Sequence, residues 1–182
     1  MKSNMPAEGG SASGGKKIIC HDHDGKNYEV DASQLTFRPS IYGLLFEDNK
    51  ILLSKQWDGY DFPGGGVHIH ETVDEALKRE FFEETGVKVE PIKPFYCTTS
   101  FFHPAQTPKE IKDDVYWNCV LIYYLVKKVG GELSKEHFDE NEQYYADMPE
   151  WHDVTKLSEL KYYNAVDSLE VVKQGLEFLK KQ

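Results

Sequence analysis

Residues 65–87 read Gly65-Gly66-Val67-His68-Ile69-His70-Glu71-Thr72-Val73-Asp74-Glu75-Ala76-Leu77-Lys78-Arg79-Glu80-Phe81-Phe82-Glu83-Glu84-Thr85-Gly86-Val87. Thr72 followed three residues later by Glu75 is a capping box, so a helix starts here, and Gly86 suits its C-terminal stop. At about 100° per residue, Glu83, Glu80 and Glu84 fall within an arc roughly 100° wide. On a bare helix that is costly, because two like charges about 5 Å apart repel by roughly 3 kcal/mol at an effective dielectric near 20. Arg79, four residues before Glu83, can pair with that carboxylate and fix its orientation, but one guanidinium does not neutralise three glutamates. A hard divalent cation does. All-oxygen ligands favour Mg²⁺, with Mn²⁺ as the alternative, over zinc, and such a cation binds substrate phosphates as well. The segment therefore implies a phosphate ester or anhydride as substrate, against the simpler reading of a solvated acidic helix face.

The spacing decides between these readings. Gly, five residues, Glu, seven residues, Arg-Glu, apolar, any, Glu-Glu, any, Gly, apolar is met at Gly65, Glu71, Arg79, Glu80, Phe81, Glu83, Glu84, Gly86 and Val87. This resembles the signature of the Nudix hydrolases, MutT-like proteins among them, and the likeness extends in strand and helix order from about Arg38 to Leu179. The resemblance implies an α/β/α sandwich with a central mixed β-sheet and residues 65–87 as a loop-helix-loop. It also implies magnesium-dependent attack of water on a nucleoside diphosphate linked to another group. Carried over residue by residue, Glu80, Glu83 and Glu84 are metal ligands, Arg79 orients a glutamate, and Glu71 is a ligand or its support. The general base, or an extra metal ligand, in such proteins often comes from a later acidic loop, where Glu136 is the first candidate and Glu140 and Glu142 are the others, against the simpler reading of a charged surface loop.

Working outward, Ser40–Glu47 and Lys50–Gln56 read as strands joined by a turn at Asp48-Asn49, with Pro39 at the start of the first. Lys16–Asp22 and Asn27–Val30 flank Asp24-Gly25 and read as a smaller hairpin within an N-terminal extension, 16–37. Residues 1–15 read as a disordered leader and 16–182 as one domain. Val87–Phe101 and Val115–Lys127 read as long strands separated by a polar loop, His103–Asp114. Tyr144–Trp151 reads as a last strand, and Ala165–Lys180 as an amphipathic helix with Val166, Leu169, Val172, Leu176 and Leu179 along one stripe.

Several other residues invite a role. Trp57 and Phe62, with Tyr60, stand just before the glycines and offer aromatic faces to a base; Arg38 suits a phosphate; Gly65 and Gly66 allow close approach of backbone to substrate. Core packing is the competing role for the aromatics. His68 and His70, if extended, point the same way and reach metal or phosphate, though exposed loop histidines are the simpler reading. His21-Asp22-His23-Asp24 reads as turn chemistry.

Composition sets the outer limits. Thirty-one acidic against 21 basic residues give a formal charge of −10 over 182 residues, which repels a long phosphate backbone. The longest nearly continuous apolar run, Cys119 to Val126, is less than half of the roughly 18 residues that span a membrane. Three widely spaced cysteines fit neither a disulfide framework nor a metal knuckle, in keeping with a soluble cytoplasmic protein. The expected partner is a small nucleotide such as a nucleoside triphosphate, ADP-ribose or a nucleotide sugar, with neither long nucleic acid nor membrane, and the N-terminal hairpin would suit a homodimer. The alternative is the same fold used as a ligand-sensing or protein-binding module. Isomerase chemistry on a prenyl diphosphate lacks an identifiable positioned cysteine.

Overall fold

In a computed structural model of the chain, residues 15–104, 114–138, 140, 142–163 and 166–181 are described. Asp48 and Asn49 both take left-handed backbone, with φ of 47° and 60°, the pair of angles that a two-residue type I′ turn requires. Strand β3 (Leu35–Glu47) therefore folds directly back on β4 (Lys50–Gln56), pairing Phe46 with Ile51 and Glu47 with Lys50. β3 begins five residues earlier than the sequence suggested, and Pro39 lies inside it. The Pro39 carbonyl accepts from the Val67 amide at 3.0 Å, and its missing donor falls on that same side, just past the last ladder pair, Ser40–Gly66, where none is needed.

The first hairpin joins β1 (Lys17–His21) to β2 (Asn27–Asp31). Its turn is not a two-residue one at Asp24-Gly25, since only Gly25 has positive φ, at 76°. Asp22 organises a wider loop instead, its Oδ1 accepting from the amides of Asp24 and Lys26 and its Oδ2 from the Tyr28 hydroxyl. Beyond β4 come β5 (Gly59–Asp61), β6 (Gly64–Gly66), helix α1 (Val73–Thr85) and two long strands, β7 (Val87–Phe102) and β8 (Tyr116–Gly131). β9 (Ala146–Asp153) and helix α2 (Ser168–Leu179) complete the chain, with single 3₁₀ turns at 32–34, 142–144 and 157–159. The expected leader and most of the His103–Asp114 loop lie outside the described residues.

The sheet runs β2-β1-β7-β8-β3-β4-β5, with β6 on β3 and β9 on β4. It is mixed: β3 pairs parallel with β8 from Leu35–Tyr116 to Leu45–Val126, β1 touches β7 in parallel at His21–Phe102, and the remaining pairs are antiparallel. The two helices cover opposite faces. Leu77 and Phe81 of α1 bury against Ile41 and Leu45, each contributing roughly 2 kcal/mol of transfer free energy. Gly43 makes this approach possible, because a Cβ there would stand 2.7 Å from the Phe81 ring. On the other face Val171 and Val172 of α2 pack with Leu44, Tyr123 and Leu125. This is the expected α/β/α sandwich. No helix among the described residues is long and apolar enough to cross a membrane.

One detail of the sheet positions the site. β3 pairs with β6 at residues 40–42 and with β4 at 46–47, changing partner along the same edge. The glutamates of α1 meet the pocket face of the sheet at this change.

Candidate active site

α1 begins and ends as its sequence dictates. The Thr72 hydroxyl accepts from the Glu75 amide, the Glu75 carboxylate accepts from the Thr72 amide at 2.8 Å, and Gly86 closes the helix in left-handed backbone at φ 72°. With both ends fixed, the helix places Arg79, Glu80, Glu83 and Glu84 at a cavity of about 560 Å³.

Arg79 is the hub. Its Nε and Nη2 donate to the two oxygens of Glu71 at 2.6 and 2.8 Å, Nη2 also reaches the Gly66 carbonyl at 3.1 Å, and Nη1 lies 2.9 Å from Glu80 and 3.0 Å from Glu83. The paired bonds hold the Glu71 carboxyl down at a pKa of about 2 and raise the guanidinium above its usual range. The His68 amide adds a third donor to Glu71 at 3.0 Å. Glu71 thus ties the glycine loop to the helix.

Glu80 and Glu84 lie deeper. Burial raises both carboxyl groups above the ordinary range, Arg79 partly offsetting this at Glu80 and the charge of Glu142 adding to it at Glu84. Glu84 accepts from the Ser54 hydroxyl at 2.5 Å and the Gly64 amide at 3.2 Å. One oxygen each from Glu80, Glu84 and Glu142 lies within 4.8 Å of the others. The Gln56 side-chain oxygen, on the same cavity, is buried without a hydrogen-bond partner among the described residues. Crowded, desolvated carboxylates beside an unpaired acceptor form an all-oxygen donor set that fits a hard divalent cation.

The cavity wall opposite the helix comes from β3, β7 and β8. Arg38 lies over the Trp117 ring at 4.2 Å, its Nη1 donating to the Ser40 hydroxyl at 2.6 Å. Gly65 and Gly66 are where the close approaches occur: a Cβ on Gly65 would meet the Glu80 carboxylate at 2.6 Å, and one on Gly66 the Arg38 guanidinium at 2.8 Å.

Other expected residues lie elsewhere. Phe62 is not a stacking surface: it is 1% exposed and packs edge-on to Tyr123 in the core, 5.9 Å between ring centroids. Trp57 stands outside the cavity lining, stacked on His23 at 5.0 Å and edge-on to Tyr163 at 4.8 Å. Tyr60 donates its hydroxyl to Glu150 at 2.9 Å. Glu136 and Glu140 are exposed and do not line the cavity, whereas Glu142 is buried and does.

The family profile of the NUDIX domain matches residues 36–174. The chain belongs to the Nudix family. Its similarity to individual Nudix proteins is spread over several activities. It is 31% identical over 128 residues to an ADP-ribose pyrophosphatase of Methanocaldococcus jannaschii, covering 65% of each chain. It is 29% identical over 131 residues to an 8-oxo-dGTP diphosphatase of Buchnera aphidicola, covering 68% of this chain and 81% of that one. An RNA pyrophosphohydrolase of Xylella fastidiosa is 27% identical over 121 residues, 63% of each chain. The chain thus spans under two thirds of two of these relatives. A crystal structure of an ADP-ribose pyrophosphatase from Streptococcus suis shares the fold at a TM-score of 0.58 and 20% identity, covering 80% of this chain and 93% of that one.

Against the Nudix signature, the residues that sequence reading missed are those outside it. Trp117 and Ser54 read as ordinary strand residues, and Gln56 as the end of a strand. Cys119 also lines the cavity, its thiol pushed up by burial and therefore protonated near neutral pH.

Proposed function

We propose that this Nudix protein is a Mg²⁺- or Mn²⁺-dependent pyrophosphohydrolase that opens the diphosphate linkage of a small nucleotide, a nucleoside diphosphate joined to a further group. The convergence of Glu80, Glu84 and Glu142 beside the Arg79–Glu71 pair carries this reading. Glu80, Glu83 and Glu84 would hold the cation, with Glu71 as the support of Arg79 rather than a ligand. When bound, the cation supplies charge neutralisation for the diphosphate and a more acidic water.

The chain's own groups do the rest. Arg79 keeps Glu80 and Glu83 turned into the cavity. Glu142, on the turn before β9, takes the proton of the attacking water. Arg38, seated on Trp117, meets a substrate anion with a guanidinium already oriented, so little side-chain freedom is lost on binding. Gly65 lets backbone stand against the Glu80 carboxylate and Gly66 lets it stand against the Arg38 guanidinium, approaches that a side chain would obstruct. The charge of −10 favours a small substrate, one that the cavity encloses, over a long polyanion.

The test is hydrolysis of nucleoside triphosphates, ADP-ribose, nucleotide sugars, dinucleoside polyphosphates, NADH and a 5′-triphosphorylated RNA, each with Mg²⁺, Mn²⁺ or EDTA. Selective turnover of one small nucleotide, abolished by EDTA, is expected. Metal-dependent turnover of the RNA alone would overturn the substrate class, and no turnover by folded protein would favour a binding module.

A further inference from the structure

His68 and His70 stand on the approach to α1, where His68 lines the cavity and both side chains are exposed. Val67 just before them packs against the α1 core cluster, but Ile69 between them is fully exposed, at 104%. Both imidazoles nevertheless turn to the same side. Their ring centroids are 5.5 Å apart with planes tilted by 34°. Glu71 closes the group: one ring nitrogen from each histidine and one Glu71 oxygen all lie within 4.8 Å of one another. Neither ring makes a hydrogen bond among the described residues; the nearest polar contact is His68 Nδ1 to Glu71 Oε2 at 3.5 Å.

We propose that His68, His70 and Glu71 form a second metal site, for a first-row transition cation such as Zn²⁺, Ni²⁺ or Cu²⁺, at the rim of the cavity and separate from the carboxylate cluster. Two imidazoles and a carboxylate are the donor set those cations prefer, whereas the carboxylates proposed to hold the first cation, Glu80, Glu83 and Glu84, are all oxygen and suit magnesium or manganese. The two sites therefore sort cations by softness. Metal–ligand bonds near 2.1 Å in a tetrahedron place donor atoms roughly 3.4 Å apart, so modest side-chain rotation closes the observed spacing. Glu71 can serve here while still held by Arg79 through Oε1, which accepts the Arg79 Nε bond and keeps a second acceptor position, whereas Oε2 already takes bonds from Arg79 Nη2 and the His68 amide. With three protein donors and an exposed setting, the remaining coordination positions belong to water.

This site does not depend on the hydrolytic reading, and binding alone decides it. Cu²⁺ is titrated into the full chain at neutral pH in excess Mg²⁺ and followed by electron paramagnetic resonance, with Ni²⁺ affinity measured by calorimetry. The expected result is one Cu²⁺ with nitrogen hyperfine structure from imidazole, lost in the His68→Ala/His70→Ala double variant. Ni²⁺ binding should weaken at least about tenfold in His70→Ala. Both side chains are exposed, so circular dichroism should confirm unchanged folding. The proposal is overturned if the double variant keeps the stoichiometry and nitrogen signal of the native chain, which would be adventitious binding elsewhere. It is equally overturned if the native chain gives an oxygen-only signal that Glu84→Gln removes, which would be binding at the carboxylate cluster alone.

Discussion

Arg79 holds Glu71 through two parallel hydrogen bonds, Nε to Oε1 at 2.6 Å and Nη2 to Oε2 at 2.8 Å, across eight residues of sequence. A lysine keeps the charge but cannot span both oxygens. Arg79→Lys should lower turnover by about 10- to 100-fold while cooperative unfolding is retained, measured as kcat beside circular dichroism. Acid stability should change with it. The folded Glu71 carboxyl titrates near 2 rather than 4.5, so its stabilisation is present above pH 4.5 and is lost as pH falls toward about 2. Arg79→Lys should flatten that acid limb in denaturant titrations.

Glu84 has the opposite sign. Its raised pKa means that the folded, metal-free state prefers the protonated carboxyl. Above its ordinary value the group opposes folding, most of all once pH exceeds the raised value. Glu84→Gln keeps the acceptors for Ser54 and Gly64 but removes the charge. Without metal at neutral pH, the variant should melt at or above the temperature of the native chain, and it should not show the rise in Tm expected of the native protein on adding Mg²⁺ or Mn²⁺. An equal rise in both proteins would refute the assignment of Glu84 to the cation.

Glu142 and Glu136 can be separated directly. Glu142→Gln should reduce kcat more than about tenfold, as expected for loss of a proton acceptor. Glu136→Gln, at an exposed position away from the cavity, should stay within about twofold. The reverse ranking would return the base to Glu136, the first of the three candidates in the sequence.

Gly66→Ala addresses the substrate wall. The new methyl would stand 2.8 Å from the Arg38 guanidinium, the far end of a flexible side chain, so the protein should fold while Arg38 shifts off Trp117. KM should rise severalfold, on the order of tenfold at most, with a smaller change in kcat.

Gly86→Ala tests the frame. At φ 72° an alanine is strained, and its methyl would meet the Glu132 carbonyl at 2.4 Å. A loss of about 1–3 kcal/mol is expected from urea unfolding.

Much of this was legible before any coordinates because the decisive interactions are local. The cap at Thr72, the stop at Gly86 and the pairing of Arg79 with Glu83 all lie within one or two helical turns. The Asp48-Asn49 turn is likewise set by two residues. Partners far apart in sequence were not legible: Trp117 meets Arg38 only through the parallel β3–β8 register, and Ser54 reaches Glu84 across 30 residues. Phe62 was misread for the same reason, since an aromatic beside a glycine loop has no local mark of burial. Glu142 was separable from Glu136 only by the 3₁₀ turn that folds it inward.

The two halves of the cavity hang from different supports. The carboxylates are carried by a helix capped at both ends, whereas Arg38 and Trp117 are carried by β3 and β8, neighbouring strands at the centre of the sheet. A substitution on those strands can alter which molecule is admitted and leave the cutting apparatus intact. One scaffold can in this way change its diet while keeping its teeth.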